Sequence, residues 1–136
     1  MIKQIVQKNV KTIPEDASII EAAEKMRKEG IGSLLVERGG KPVGILSDTD
    51  IVQKAVGAKK NLEKTMVGSL MISPLPTIQL SRTSHDAIDM MGERGVRHLA
   101  VFQGPNMVGL VSIRDIILHF RRNYTEQYSE PKIGVD

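Results

Sequence analysis

The sequence predicts an α/β chain of the α+β type, made of two tandem repeats that each run strand, helix, strand, strand, helix. Three observations predict it. Sliding the chain against itself by 65 positions aligns residues 12–52 with 77–117 without a gap, with thirteen identities in forty-one pairs. Among these are Thr12/Thr77, Ile13/Ile78, Gly30/Gly95, Leu34/Leu99, Gly44/Gly109, Ser47/Ser112 and Asp50/Asp115. Each copy also has a hydroxyl residue followed three positions later by an acidic one, just ahead of apolar residues at helical spacing. Each then has two short apolar runs parted by a glycine-bearing turn, the signature of a hairpin.

The elements follow in order. Apolar pairs Ile2/Val67 and Ile5/Leu70 carry the match upstream of the first strand, which opens at Thr12 or Thr77. Ser18 with Glu21 has the form of a capping box, Ala22, Ala23 and Met26 lie at helical spacing, and Gly30 offers the C′ position. Thr83, Asp86, Ala87, Ile88, Met91 and Gly95 repeat that grammar. The strands of the hairpins are read at 31–36 and 43–46 in the first copy, around Gly39-Gly40, and at 99–102 and 108–111 in the second, around Gly104-Pro105. A closing helix follows, at 48–56 and 113–120, opened by Ser47 or Ser112. Residues 1–58 are thus the first repeat, 59–66 a polar linker, 67–120 the second repeat, and 121–136 a polar tail expected to fray. Most of the methionines read as core or interface filler. Neither repeat is expected to stand alone, since a chain of about 60 residues buries only about 60% of its surface.

Composition bounds the function. A chain of 136 residues with 40% apolar and 26% charged residues is one ordinary soluble domain. The absence of cysteine excludes disulfides, iron–sulfur clusters, thiolate zinc sites and a cysteine nucleophile. No run approaches the roughly 18 apolar residues of a membrane span, and the N-terminus has no signal-peptide pattern, so a cytoplasmic protein with no membrane partner is expected. Nineteen Lys and Arg against sixteen Asp and Glu give +3, but the cations are scattered as on a solvated surface. Two Phe and two Tyr are too few for a base-stacking nucleic-acid platform. His85, His98 and His119 have no metal-ligand spacing, and no P-loop, nucleophile elbow or dinucleotide fingerprint occurs. The expectation is a binding module, with no catalytic residue and no catalytic cofactor.

The chemistry concentrates in Gly44-Ile45-Leu46-Ser47-Asp48-Thr49-Asp50 and its echo Gly109-Leu110-Val111-Ser112-Ile113-Arg114-Asp115. Each places a strand end, a hydroxyl, a carboxylate and a helix N-terminus together. One reading is a capping box and nothing more. The other is a seat for a sugar diol with a phosphate nearby, since helix N-termini favour anions. The copies differ: the first has Gly32-Ser33 and Asp48-Thr49 with no cation beside its motif, the second has Arg97-His98 and Ile113-Arg114. Guanidinium groups suit a phosphate, so the second copy supplies the anion-binding end. The first, locally acidic, suits a nucleoside or a cationic ligand, or stays empty.

The 65-residue repeat, the element order and the Gly-apolar-x-[Ser/Thr]-x-x-Asp ending resemble a tandem pair of cystathionine β-synthase (CBS) domains, over nearly all of residues 2–120. The resemblance implies repeats packed through their sheets about a pseudo-twofold axis, with clefts for adenosine-containing ligands: AMP foremost, ADP, ATP or S-adenosylmethionine. It implies that Asp50 and Asp115 bond ribose hydroxyls and that Ser47 and Ser112, with Thr49 and Arg114 beside them, face ribose or phosphate. Thr12, Ile13 and Pro14, and Thr77 and Ile78, match the first strand at the adenine end. Gly32, Ser33 and Leu34, and Val96, Arg97, His98 and Leu99, match the segment whose backbone reads the base edge. It further implies a homodimer and a regulatory ligand that signals through association with a protein target. Against this nucleotide sensor stand a basic nucleic-acid-associated protein using Lys59-Lys60, Arg121-Arg122 and the N-terminal Lys3, Lys8 and Lys11, and an interaction scaffold with degenerate clefts.

Overall fold

The computed structural model describes residues 1–127, with side chains described through Asn123. The elements are β1 (Thr12–Pro14), α1 (Ile19–Glu29), β2 (Ser33–Arg38), β3 (Lys41–Ser47), α2 (Asp48–Asp50), β4 (Thr77–Gln79), α3 (Ser84–Arg94), β5 (His98–Gln103), β6 (Asn106–Ser112) and α4 (Ile113–Gln127). Two three-stranded sheets form, in the order β1-β2-β3 and β4-β5-β6. In the first, β1 runs parallel to β2, which the crossover helix α1 permits, and β2 runs antiparallel to β3 through a tight turn. This is the predicted α+β repeat. The closing helix of the first copy, expected as one helix over 48–56, is a turn at Asp48–Asp50 followed by a π-helical segment, Ile51–Val56. That of the second copy extends past residue 120 to Gln127, so the first part of the expected tail is helical; residues 128–136 lie outside the described residues.

Caps fix the helix ends. The Thr83 hydroxyl accepts from the Asp86 amide at 3.1 Å while the Asp86 carboxylate accepts from the Thr83 amide at 3.0 Å, a complete capping box. At α1 only half of the expected box forms: Ser18 Oγ accepts from the Glu21 amide at 3.2 Å. The remaining orphan amides of α1 find another solution, because Ile19 N donates to Thr65 O at 2.9 Å and Ile20 N to Leu62 O at 3.0 Å. Residues 59–66 are therefore no loose spacer. They cap α1 with their own carbonyls, and Leu62 packs against the core.

The compact units do not coincide with the sequence repeats. One unit comprises Lys8–Thr77; the other comprises Met1–Gln7 together with the described residues from Ile78 onward. The stretch leading into each repeat thus belongs to the unit built by the other. Ile45 and Ile72 exchange backbone hydrogen bonds of 3.1 and 2.8 Å, and Gln7 and Leu110 exchange bonds of 2.8 and 3.0 Å. Gly44 and Gly109 sit at these crossings. A Cβ at Gly44 would lie 2.7 Å from the Ile72 carbonyl oxygen, and one at Gly109 would strike the Gln7 carbonyl. The incoming segment also feeds the core. In the Lys8–Thr77 unit Val67 and Leu70 join Ile13, Ile19, Met26, Leu34, Val36, Leu46 and Ile51, and in the other unit Ile2 and Ile5 are buried.

Three outcomes follow. A fragment of residues 1–61 lacks Val67, Leu70 and the Ile72 bridge; burying two such side chains is worth about 3–6 kcal/mol, much of a small domain's stability. It should give a collapsed amide spectrum, whereas a well-dispersed one would contradict the exchange. Gly109→Ala should cost about 1–3 kcal/mol by overpacking, while Gly92→Ala, at an exposed position of α3 with nothing within 4 Å of the added carbon, should gain about 0.5–1 kcal/mol; thermal unfolding midpoints moving in the same direction would refute the contrast. Finally, bonds from the Thr83 amide and hydroxyl, aided by Arg82 and His85, hold the Asp86 carboxyl below the usual carboxylate range. Its contribution is therefore present above the unfolded pKa, about 4, and fades as pH falls through the lower folded value. Acid titration of stability should be shallower in Asp86→Asn than in the wild type.

Candidate functional site

In each sheet the start of the central strand and the end of the third strand meet at one edge. Ser33 lies opposite Ser47, and His98 opposite Ser112. The backbone closes each edge alike: Asp48 N donates to Gly32 O, and Ile113 N to Arg97 O, both at 2.9 Å. This brings Gly32, Ser33, Ser47, Thr49 and Asp50 together in one unit and Arg97, His98, Ser112, Arg114 and Asp115 together in the other. A Cβ at Gly32 would lie 2.9 Å from Asp48 Oδ2, so the first copy's acidic side chain fills the space that a larger residue there would need.

Both motifs form capping boxes. Asp50 Oδ2 accepts from Ser47 N at 3.0 Å and Ser47 Oγ from Asp50 N at 3.2 Å; Asp115 Oδ2 accepts from Ser112 N at 3.0 Å and Ser112 Oγ from Asp115 N at 3.0 Å. The capping reading of the motif is thus realised in both copies, and it uses one oxygen of each carboxylate. The other oxygens differ. Asp50 Oδ1 is ion-paired with Lys54 Nζ at 3.0 Å, and Asp50 is buried. Asp115 is half-buried, and its Oδ1 has no partner among the described residues. The expectation of no cation beside the first motif is therefore corrected: Lys54 is one helical turn along. An i, i+4 acid–base spacing was the signal for it.

The other predicted residues divide by burial. Ile13, Leu34, Ile78, Val96 and Leu99 are core side chains, so only their backbone is available to a ligand. Thr12 lies opposite Leu35 and Pro14 opposite Glu37, further along the sheet than Ser33; Thr12 O accepts a hydrogen bond from Lys25 Nζ. Thr77 is exposed, as are Arg97 and Arg114, which have no ion-pair partner among the described residues. A depression of about 530 Å³ is lined by Thr12, Ile13, Pro14, the Glu15–Arg38 ion pair and the Gly39–Gly40 turn. It collects the first-strand residues but none of Gly32, Ser33, Ser47 or Asp50. No helix among the described residues is long and apolar enough to cross a membrane.

The uncharacterized protein MK0525 of Methanopyrus kandleri is 28% identical over 118 residues, covering 85% of this chain and 60% of its own length. The uncharacterized protein MJ1404 of Methanocaldococcus jannaschii is 33% identical over 129 residues, covering 85% of this chain and 31% of its own length. The chain thus spans less than two thirds of these relatives. Among solved structures, the CBS domain protein NE2398 is 31% identical with a TM-score of 0.79, covering 88% of this chain and 97% of that one. The family description "CBS domain" matches twice, at residues 2–57 and 67–122. With two matches spanning most of its length and the duplicated strand-end motif in each, the chain belongs to the CBS domain family as a tandem pair.

Proposed function

We propose that the chain is a regulatory module that binds an adenosine-containing ligand, AMP foremost, and that occupancy alters its association with a second copy or a protein target. The observation that carries this reading is Asp115: a carboxylate with one oxygen uncommitted among the described residues, at the start of a helix, beside Arg97 and Arg114. An ionised carboxylate accepts from both hydroxyls of a diol, and exposed guanidinium groups match a phosphate. Helix α4, which starts at this motif, also exposes Ile117 and Phe120. A ligand at its first turn and an apolar face further along would put binding and association on one element. A tandem CBS pair suits such regulation.

Asp115→Ala should weaken AMP by about 10- to 150-fold, the loss of a charge-assisted hydrogen bond of about 1.5–3 kcal/mol. Calorimetry with AMP, ATP and S-adenosylmethionine measures it, and unchanged AMP affinity would refute the ribose role. Arg97→Ala should weaken AMP and spare adenosine; equal losses for the two would remove Arg97 from the phosphate. Equilibrium sedimentation at micromolar concentration should give about twice the 15.0 kDa chain mass. A strict monomer with and without nucleotide would leave the association unsupported.

A further inference from the structure

We infer that Lys54 is a built-in occupant of the first motif, so that each chain offers one nucleotide-competent strand end, the one at Asp115, and that removing the Lys54 ammonium opens the second. This rests on the nucleotide reading of the motif and adds to it the residue that decides which copy binds.

Both oxygens of Asp50 are engaged, Oδ2 by the Ser47 amide and Oδ1 by Lys54 Nζ. The Lys54 ammonium reaches a second acceptor, Leu70 O at 3.3 Å, so it bridges the motif to the incoming segment of the same unit. Asp50 is only 7% exposed. A neutral sugar hydroxyl would have to displace an ammonium already paired with a buried carboxylate and leave the Leu70 carbonyl without its donor. In the second copy the position equivalent to Lys54 is His119, whose Nε2 lies 3.0 Å from Asn123 Nδ2, on the next turn of α4. Asp115 is therefore left half-buried, with its Oδ1 unpartnered among the described residues. The helical backbone differs too: Lys54 sits in the π-helical segment Ile51–Val56, while His119 sits in a regular α-helix. π-Helical turns are rare and cluster at functional positions.

The test is titration calorimetry on the full chain with AMP and with adenosine, read as stoichiometry. Wild type should bind one AMP per chain, and Asp50→Ala should keep that stoichiometry with affinity within about threefold. Lys54→Gln should raise the adenosine stoichiometry to two, since the first motif has no guanidinium for a phosphate. Lys54→His, which installs the second copy's residue, guards against a variant that fails to fold; amide spectra confirm that each is folded. Two AMP per wild-type chain, a tenfold loss in Asp50→Ala, or folded Lys54 variants that stay at one adenosine would each overturn the inference and leave the nucleotide reading standing. Absence of AMP binding in every protein overturns that reading and the inference together.

Discussion

The two backbone bridges, Ile45 with Ile72 and Gln7 with Leu110, are the constraint on which the rest of the chain depends. Each lets the segment leading into one repeat complete the unit built by the other. A main chain can approach a strand this closely only where the strand has no side chain in the way, hence Gly44 and Gly109. The same segments deliver Ile2 and Ile5, or Val67 and Leu70, into the cores. The candidate sites stand on the same strands, since Ser47 and Ser112 follow the crossing glycines by three residues. The ladder that closes each unit therefore also sets where each motif's hydroxyl and carboxylate stand.

The motif performs two tasks at once. As a capping box it satisfies amides at the start of the closing helix, a need any helix has. A carboxylate has capacity beyond that, and the copies spend the surplus differently: Asp50 on Lys54, Asp115 on nothing within the described residues. Near-identical local grammar thus yields unequal chemistry. The difference lies one turn along the helix, at a position where the repeats do not match.

Much of the architecture was legible because its signals are local. Ser18 and Thr83 at helix starts, Gly30 and Gly95 in left-handed conformation at helix ends, and Gly39-Gly40 at a hairpin all act within a few residues. The exchange was not legible from the repeat alignment, because residues 2–7 match 67–72 whichever unit each joins. A glycine amid the apolar run of a strand was the available hint of a close backbone approach. The role of 59–66 was hidden for a similar reason: Leu62 and Thr65 act through their carbonyls, which no side chain advertises. At the site, the strand-end grouping of Ser47 with Asp50 and of Ser112 with Asp115 was readable. The Lys54 pairing needed the register of the helix and the nearby Leu70 carbonyl.

The exchange also makes the two units unequal to assemble. The unit spanning Lys8–Thr77 is contiguous, and its bridge joins residues 45 and 72. The other must bring residue 7 to residue 110, so its parts are not all present until most of the chain exists. Closing about 100 residues instead of about 27 costs roughly 1 kcal/mol more in chain entropy. If the contiguous unit is already folded, it shortens the free chain that the later closure must span. Two units with nearly the same sequence grammar thus differ in contact order, and the one whose motif carboxylate keeps an open oxygen among the described residues is the one that must join residue 7 to residue 110.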